Sequence, residues 1–179
     1  MNIFLIGYRC TGKTSVGKAL AKTLGWPFID ADSELVRTYG LSISELVKRH
    51  GWKVFREKER SVIKRICGFD RHVVATGGGA VLDKDNVTQM KRSGVLVWLR
   101  ARPESVEKRM LKDEHTQDFR PPLTSKGLLE EIEETLTIRK QYYEEAMNFF
   151  VDTDDAGVNE VCDIVLEKLN DMGMFSPDT

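Results

Sequence analysis

Residues 7–14 read Gly7-Tyr8-Arg9-Cys10-Thr11-Gly12-Lys13-Thr14. A glycine, four intervening residues and then Gly-Lys-Thr is the spacing of a main-chain cradle for phosphate groups. The glycines allow a tight turn in which successive N–H groups point inward at anionic oxygens. A helix opening near Lys13 adds the positive end of its dipole. Lys13 would reach the β- and γ-phosphates of a nucleoside triphosphate, and the Thr14 hydroxyl can ligate Mg²⁺. The motif lies between an apolar strand and an amphipathic helix, the context it requires. A nucleoside triphosphate site follows from this, but a kinase does not, because switches and motors use the same cradle.

Other residue groups could serve a second substrate. Asp30-Ala31-Asp32 ends the second strand with two acids, one suited to Mg²⁺ and the other to an acceptor hydroxyl. Asp32 could equally be the N-cap of the next helix. Arg56 and Glu59, three apart on a helix, share a face and could pair, or could belong to a solvated charged surface. The run Gly77-Gly78-Gly79 follows a strand, where such backbone freedom suits either a ligand against the main chain or a tight turn. Arg120-Pro121-Pro122 closes a polar segment that suits a mobile lid carrying a cation to the phosphates. Arg139 lies on the following helix, as a site residue or an ordinary exposed arginine.

The elements that must position these residues alternate along the chain. Strands are expected at Asn2–Ile6, Pro27–Ile29, His72–Ala75, Val95–Leu99 and Phe149–Val151. Helices are expected at Thr14–Leu24, from a Ser42…Glu45 capping box, over Val54–Cys67, Asp83–Arg92, Pro103–Lys112, Leu128–Met147 and Val158–Leu169. Leu129, Ile132, Leu136 and Tyr143 fall near one face of the long helix from Leu128. Strands separated by helices imply a parallel sheet covered on both faces. Ligands then bind beyond the carboxyl ends of the strands, at Gly7, Asp30, Thr76, Arg100 and Asp152.

The 179 residues suit one domain. Lys and Arg total 27 and Asp and Glu 28, a net charge of -1. That balance argues against a nucleic-acid partner, whose usual footprint is a basic excess. The longest apolar run, Val95–Leu99, is far short of the about 20 residues of a membrane span. Met1 and Asn2 lead straight into Ile3–Ile6, so no secretory leader is expected. Cys10, Cys67 and Cys162 form no metal or disulfide pattern, which points to reduced thiols and a cytoplasmic location.

The set Asp30-Ala31-Asp32, Phe55-Arg56-x-x-Glu59, Gly77-Gly78-Gly79, Arg120-Pro121-x-Leu123 and Arg139, in this order behind the cradle, resembles the shikimate kinase family over about residues 2–170. The resemblance implies an α/β, three-layer P-loop kinase fold: a five-stranded parallel sheet flanked by helices, with a substrate-binding region and a mobile lid. It implies one kinase domain over 1–172, with the substrate-binding region about 32–60, the lid about 112–123 and a tail at 173–179. The implied reaction moves the γ-phosphoryl group of ATP to the 3-hydroxyl of shikimate, with Mg²⁺.

By the same resemblance, Gly7, Tyr8, Arg9, Cys10, Thr11, Gly12, Lys13, Thr14, Ser15, Arg109 and Arg120 bind ATP. Asp32, Arg56, Glu59, Gly77, Gly78, Gly79 and Arg139 bind shikimate, and Lys13, Asp32 and Arg120 are catalytic. Thr14, and Asp30 through water, hold the metal. Arg56 and Arg139 would grip the carboxylate, a task suited to the planar guanidinium. The expected partners are these two small molecules, with no nucleic acid and no membrane, and the expected state is a monomer. A gluconate kinase and a nucleotide-binding module without transfer activity are the competing expectations. Cys10 stands where the family often has glycine, so its backbone is expected in a conformation open to side chains. The segment Thr153–Gly157 is short and acidic, which limits it to main-chain contacts with a base.

Overall fold

The computed structural model describes residues 1–112 and 127–174. Five strands form one parallel sheet: β1 (Asn2–Ile6), β2 (Phe28–Asp30), β3 (Val73–Ala75), β4 (Gly94–Arg100) and β5 (Phe149–Asp152), in the spatial order β2-β3-β1-β4-β5. Ile3 of β1 lies opposite Val73 of β3 and Val95 of β4. The helices are α1 (Lys13–Leu24), α2 (Ala31–Tyr39), α3 (Ile43–Ile66), α4 (Lys84–Ser93), α5 (Pro103–Lys112), α6 (Leu128–Ala146) and α7 (Val158–Asp171). The five strands fall within a residue or two of their expected positions.

Alternation along β1 divides the core between the two faces of the sheet. Phe4 and Ile6 pack with Leu35, Ile63, Leu96, Trp98 and Tyr143 on one side. Ile3 and Leu5 pack with Val16, Leu20, Val97, Leu99 and Val165 on the other. Both faces are covered, which is why β1 and β4 read as unbroken apolar runs. Met174, expected in a loose tail, packs against the second cluster, and its N–H donates to the Leu169 carbonyl at 3.1 Å.

Two helix starts differ from expectation. The residues after Asp32 form α2, whose N-cap is Asp30 and not Asp32: Oδ1 of Asp30 accepts from the N–H groups of Asp32 and Ser33, both at 3.1 Å. Asp30 wins the cap because it is the last extended residue before the turn, the conformation a cap requires. Asp32 therefore sits in the first turn of α2. The Ser42–Glu45 capping box is present, but the helix it opens continues through a kink at Gly51 (φ 79°, ψ 168°) to Ile66. The two expected helices are thus one kinked element, and the positive φ at the joint is one that glycine accepts without steric penalty.

Candidate active site

Three strand ends and two helices converge at the carboxyl edge of the sheet. The first is the loop after β1. Gly12 adopts φ 94° as the N-cap of α1, and a Cβ on Gly7 would stand 2.4 Å from the Leu99 carbonyl oxygen. The loop is braced from within: Thr11 Oγ1 donates to the Tyr8 carbonyl at 2.8 Å, and Lys13 Nζ donates to the carbonyls of Gly7 and Tyr8 at 2.8 and 2.6 Å. Cys10 corrects the expectation made for it. Its φ of 59° is left-handed, a region where a Cβ is disfavoured by about 1–2 kcal/mol. The turn demands a glycine-like backbone there, and cysteine adopts it.

Thr14 opens α1 beside the end of β2, and its Oγ1 donates to Asp30 Oδ2 at 2.9 Å. Two hard oxygen donors side by side at the mouth of a phosphate loop fit Mg²⁺, which takes few protein ligands and keeps several waters. Asp30 serves the helix cap with one oxygen and this pair with the other.

Next to the loop lies a pocket lined by Tyr8, Arg9, Asp32, Ile43, Trp52, Phe55, Arg56, Glu59, Gly77, Gly78, Gly79 and Arg139. Every residue that the sequence assigns to the second substrate is therefore in one place. The lower half of α3 buries Phe55, Glu59, Val62 and Ile66 on one face, which turns Arg56 toward the opening. Arg56 Nη1 donates to Glu59 Oε2 at 2.5 Å, and its guanidinium lies 5.0 Å from the Phe55 ring centroid and 5.8 Å from that of Trp52. Glu59 is 3% exposed, and its Oε1 is buried without a hydrogen-bond partner among the described residues. Burial pushes its carboxyl pKa up, the Asp32 and Asp83 carboxylates add to that, and Arg56 opposes it. A solvated charged face is excluded for this pair.

The three glycines have a more specific reason than a turn. None of them has a left-handed φ. A Cβ on Gly77 would stand 2.8 Å from Asp32 Oδ1 and 2.9 Å from Glu59 Oε1, and one on Gly79 would stand 2.3 Å from Arg56 Nη2. Gly78 backs onto the phosphate loop, 3.4 Å from the Arg9 nitrogen and the Gly7 oxygen by the same measure. The run makes room for the side chains of the pocket and for the neighbouring loop.

Helix α6 carries a polar stripe at fourfold spacing, Glu131, Thr135, Arg139 and Tyr143, of which Arg139 lines the pocket. Arg139 Nη1 and the Tyr143 hydroxyl both donate to the Gly78 carbonyl, at 3.1 and 2.6 Å, so Arg139 is half-buried in the site. Burial raises the Tyr143 pKa to about 12, against the Arg139 charge. Glu131 accepts from Arg9 Nη2. The sequence reading placed Arg9 in the nucleotide cradle. The residue also borders the neighbouring pocket, and its guanidinium pairs with Glu131 of α6. Glu131 and Tyr143 were missed as site residues, although the i, i+4 recurrence of Glu131, Thr135, Arg139 and Tyr143 marks a polar face amid apolar positions.

On the other side of the loop, Arg109 of α5 donates to the Cys10 carbonyl at 3.3 Å and to Thr153 Oγ1 at 3.0 Å, and also to the Thr153 carbonyl. It pins the phosphate loop to the segment after β5. Arg120 and the expected lid from 113 onward lie outside the described residues.

Comparison with known proteins agrees with this geometry. The family profile described as shikimate kinase matches residues 9–170. A shikimate kinase of Syntrophus aciditrophicus is 41% identical over 175 residues, covering 93% of this chain and 90% of the relative. One of Caldanaerobacter subterraneus is 37% identical over 165 residues, covering 92% and 94%. The structure of shikimate kinase from Acinetobacter baumannii in complex with shikimate superposes with a TM-score of 0.90 at 28% identity, covering 97% of this chain and 95% of that one. With the phosphate loop, the two acids after β2 and the arginine-lined pocket each in place, the chain belongs to the shikimate kinase family.

Proposed function

We propose that this protein transfers the γ-phosphoryl group of ATP to the 3-hydroxyl of shikimate, giving shikimate 3-phosphate and ADP. The observation that carries this reading is the pocket itself. Two carboxylates, three arginines and a glycine-lined wall stand directly beside a phosphate loop. Such a site suits a small hydroxy acid: Arg56 and Arg139 bind its carboxylate with paired N–H donors, and Asp32 holds its ring hydroxyls.

Phosphoryl transfer depends on in-line positioning and charge neutralisation more than on covalent chemistry by the protein. The acceptor hydroxyl oxygen bonds to the γ-phosphorus as the bond from that phosphorus to the β–γ bridging oxygen breaks, and ADP leaves. Asp32 takes the hydroxyl proton. It need not be strongly basic, because in a loose transition state the proton leaves late. Lys13 and the N–H groups of residues 7–14 hold the phosphates, and Arg109 and Arg120 belong to the same nucleotide site. Thr14, and Asp30 through water, would hold Mg²⁺, which when bound neutralises charge on the β- and γ-oxygens. Glu59 keeps Arg56 at its angle to the acceptor. The same reading takes residues 1–172 as one kinase domain with a lid about 112–123, working as a cytoplasmic monomer. Among the described residues no helix is long and apolar enough to cross a membrane.

A coupled assay of ADP release with shikimate and, separately, gluconate tests this. Release that depends on shikimate supports it. Equal or greater turnover of gluconate, or slow ATP hydrolysis indifferent to any acceptor, would overturn it.

A further inference from the structure

Two arginines at the acceptor pocket are each backed by a buried glutamate. Arg56 has Glu59 three residues away on its own helix, whereas Arg9 has Glu131, 122 residues away in the sequence. Both glutamates are 3% exposed. Arg9 is also anchored by its Nε, which donates to the Tyr8 hydroxyl at 3.2 Å. Glu131 stands in the first turn of α6, on the stripe that ends with Arg139 and Tyr143 on the Gly78 carbonyl. One helix thus holds both walls of the pocket, the phosphate loop through Glu131 and the glycine run through Arg139 and Tyr143. A buried ion pair is rarely the most stable way to fill such a space. Its presence here calls for a positional role.

We propose that Glu131 is a positioning residue for the transfer reaction. Through Arg9 it fixes the wall that the phosphate loop presents to the acceptor, at a set distance from Arg139 on the same helix. The inference rests on the phosphotransfer reading above. It concerns acceptor binding more than nucleotide binding, because Arg9 borders the acceptor pocket while Lys13 and Thr11 brace the cradle independently.

Two variants test it, with shikimate and ADP affinities measured separately by calorimetry and stability by thermal melting. Glu131→Gln keeps size and an acceptor oxygen but removes the charge. It is expected to weaken shikimate binding about tenfold or more, with ADP affinity changed less than about threefold. The paired change Arg9→Met with Glu131→Gln removes both charges, so the melting temperature returns toward that of the parent, while shikimate binding stays weak. Parent-like shikimate affinity in Glu131→Gln overturns the proposal. So does a neutral pair that regains both stability and affinity, since the ion pair would then be structural only. A parent enzyme that binds ADP but not shikimate would overturn the functional reading and this inference together.

Discussion

Gly79 and the guanidinium of Arg56 compete for one volume: a Cβ on Gly79 would stand 2.3 Å from Nη2 and 2.8 Å from Nη1. The same Nη1 is held by Glu59 at 2.5 Å, so a shift that makes room for the Cβ disturbs that pair. Gly79→Ala should therefore act as an acceptor-site mutation. The loss of a charge-assisted contact, about 1.5–3 kcal/mol, corresponds to a rise in shikimate KM of roughly tenfold to a hundredfold. The KM for ATP should stay near that of the parent. Steady-state kinetics with each substrate varied in turn checks this, and a selective rise in ATP KM would contradict it.

Asp32 leaves helix capping to Asp30 and faces the pocket. Asp32→Asn should lower kcat by about 10²–10⁴-fold, the range of a lost general base. Nucleotide binding, measured by ADP titration, should be nearly unchanged. Normal turnover in this variant would remove Asp32 from its role.

Arg139→Ala removes a cation from the pocket and a donor to the Gly78 carbonyl. Shikimate affinity should fall by about 1.5–3 kcal/mol, with Tyr143 still holding that carbonyl at 2.6 Å. Calorimetry showing unchanged affinity would contradict the carboxylate grip.

Cys10 supplies a test of backbone conformation. At φ 59° glycine is unstrained and a β-branched residue is strongly disfavoured. Cys10→Gly relieves about 1–2 kcal/mol of steric conflict, offset by about 0.4–1 kcal/mol of added freedom in the unfolded chain. It should be neutral to mildly stabilising, whereas Cys10→Val should lower stability by more than about 1 kcal/mol, or roughly 2–4 °C in melting temperature for a chain of this size. A valine variant as stable as the glycine variant would refute the left-handed assignment.

Tyr143 predicts an alkaline limit. Its folded pKa of about 12 lies above the ordinary value of 10.0, so the folded state favours the protonated phenol. The stability this contributes is fully present below pH 10 and is lost as pH rises toward 12. The difference is on the order of 2–3 kcal/mol. Denaturant unfolding at pH 9 and 11 should show a loss of about 1.3 kcal/mol in the parent, roughly half of the full difference because pH 11 lies midway between the two pKa values, and a smaller one in Tyr143→Phe. An equal pH effect in both would assign the limit to other groups.

The strands were legible because each is a short, mainly apolar run between helical patterns, and the phosphate loop because its spacing is dictated by phosphate geometry. Harder to read were residues whose role depends on a partner distant in sequence. Glu131 looks like one more acid in the Glu130–Glu134 region of a charged helix; its fourfold spacing to Thr135 and Arg139 hints at a shared face, and its approach to Arg9 gives it a role. Tyr143 reads as a core aromatic, and its buried hydroxyl acquires meaning only from the Gly78 carbonyl. Asp30 takes the cap for which the sequence offered Asp32. The position of the strand end decides between them. Gly51 carries no local sign that two helical patterns will join across it.

The pairing of β1 with β3 has a consequence for how the two substrates meet. The donor cradle hangs from the end of β1 and the glycine wall of the acceptor pocket from the end of β3. Hydrogen-bonded neighbours lie about 4.8 Å apart. The separation between the roots of the cradle and of the glycine wall is thus set by the interstrand spacing of the backbone, a length that side-chain changes do not alter. Side chains around the acceptor can change its identity while that ruler stays fixed. An insertion that slid β3 along β1 would misalign donor and acceptor even if every named side chain were retained.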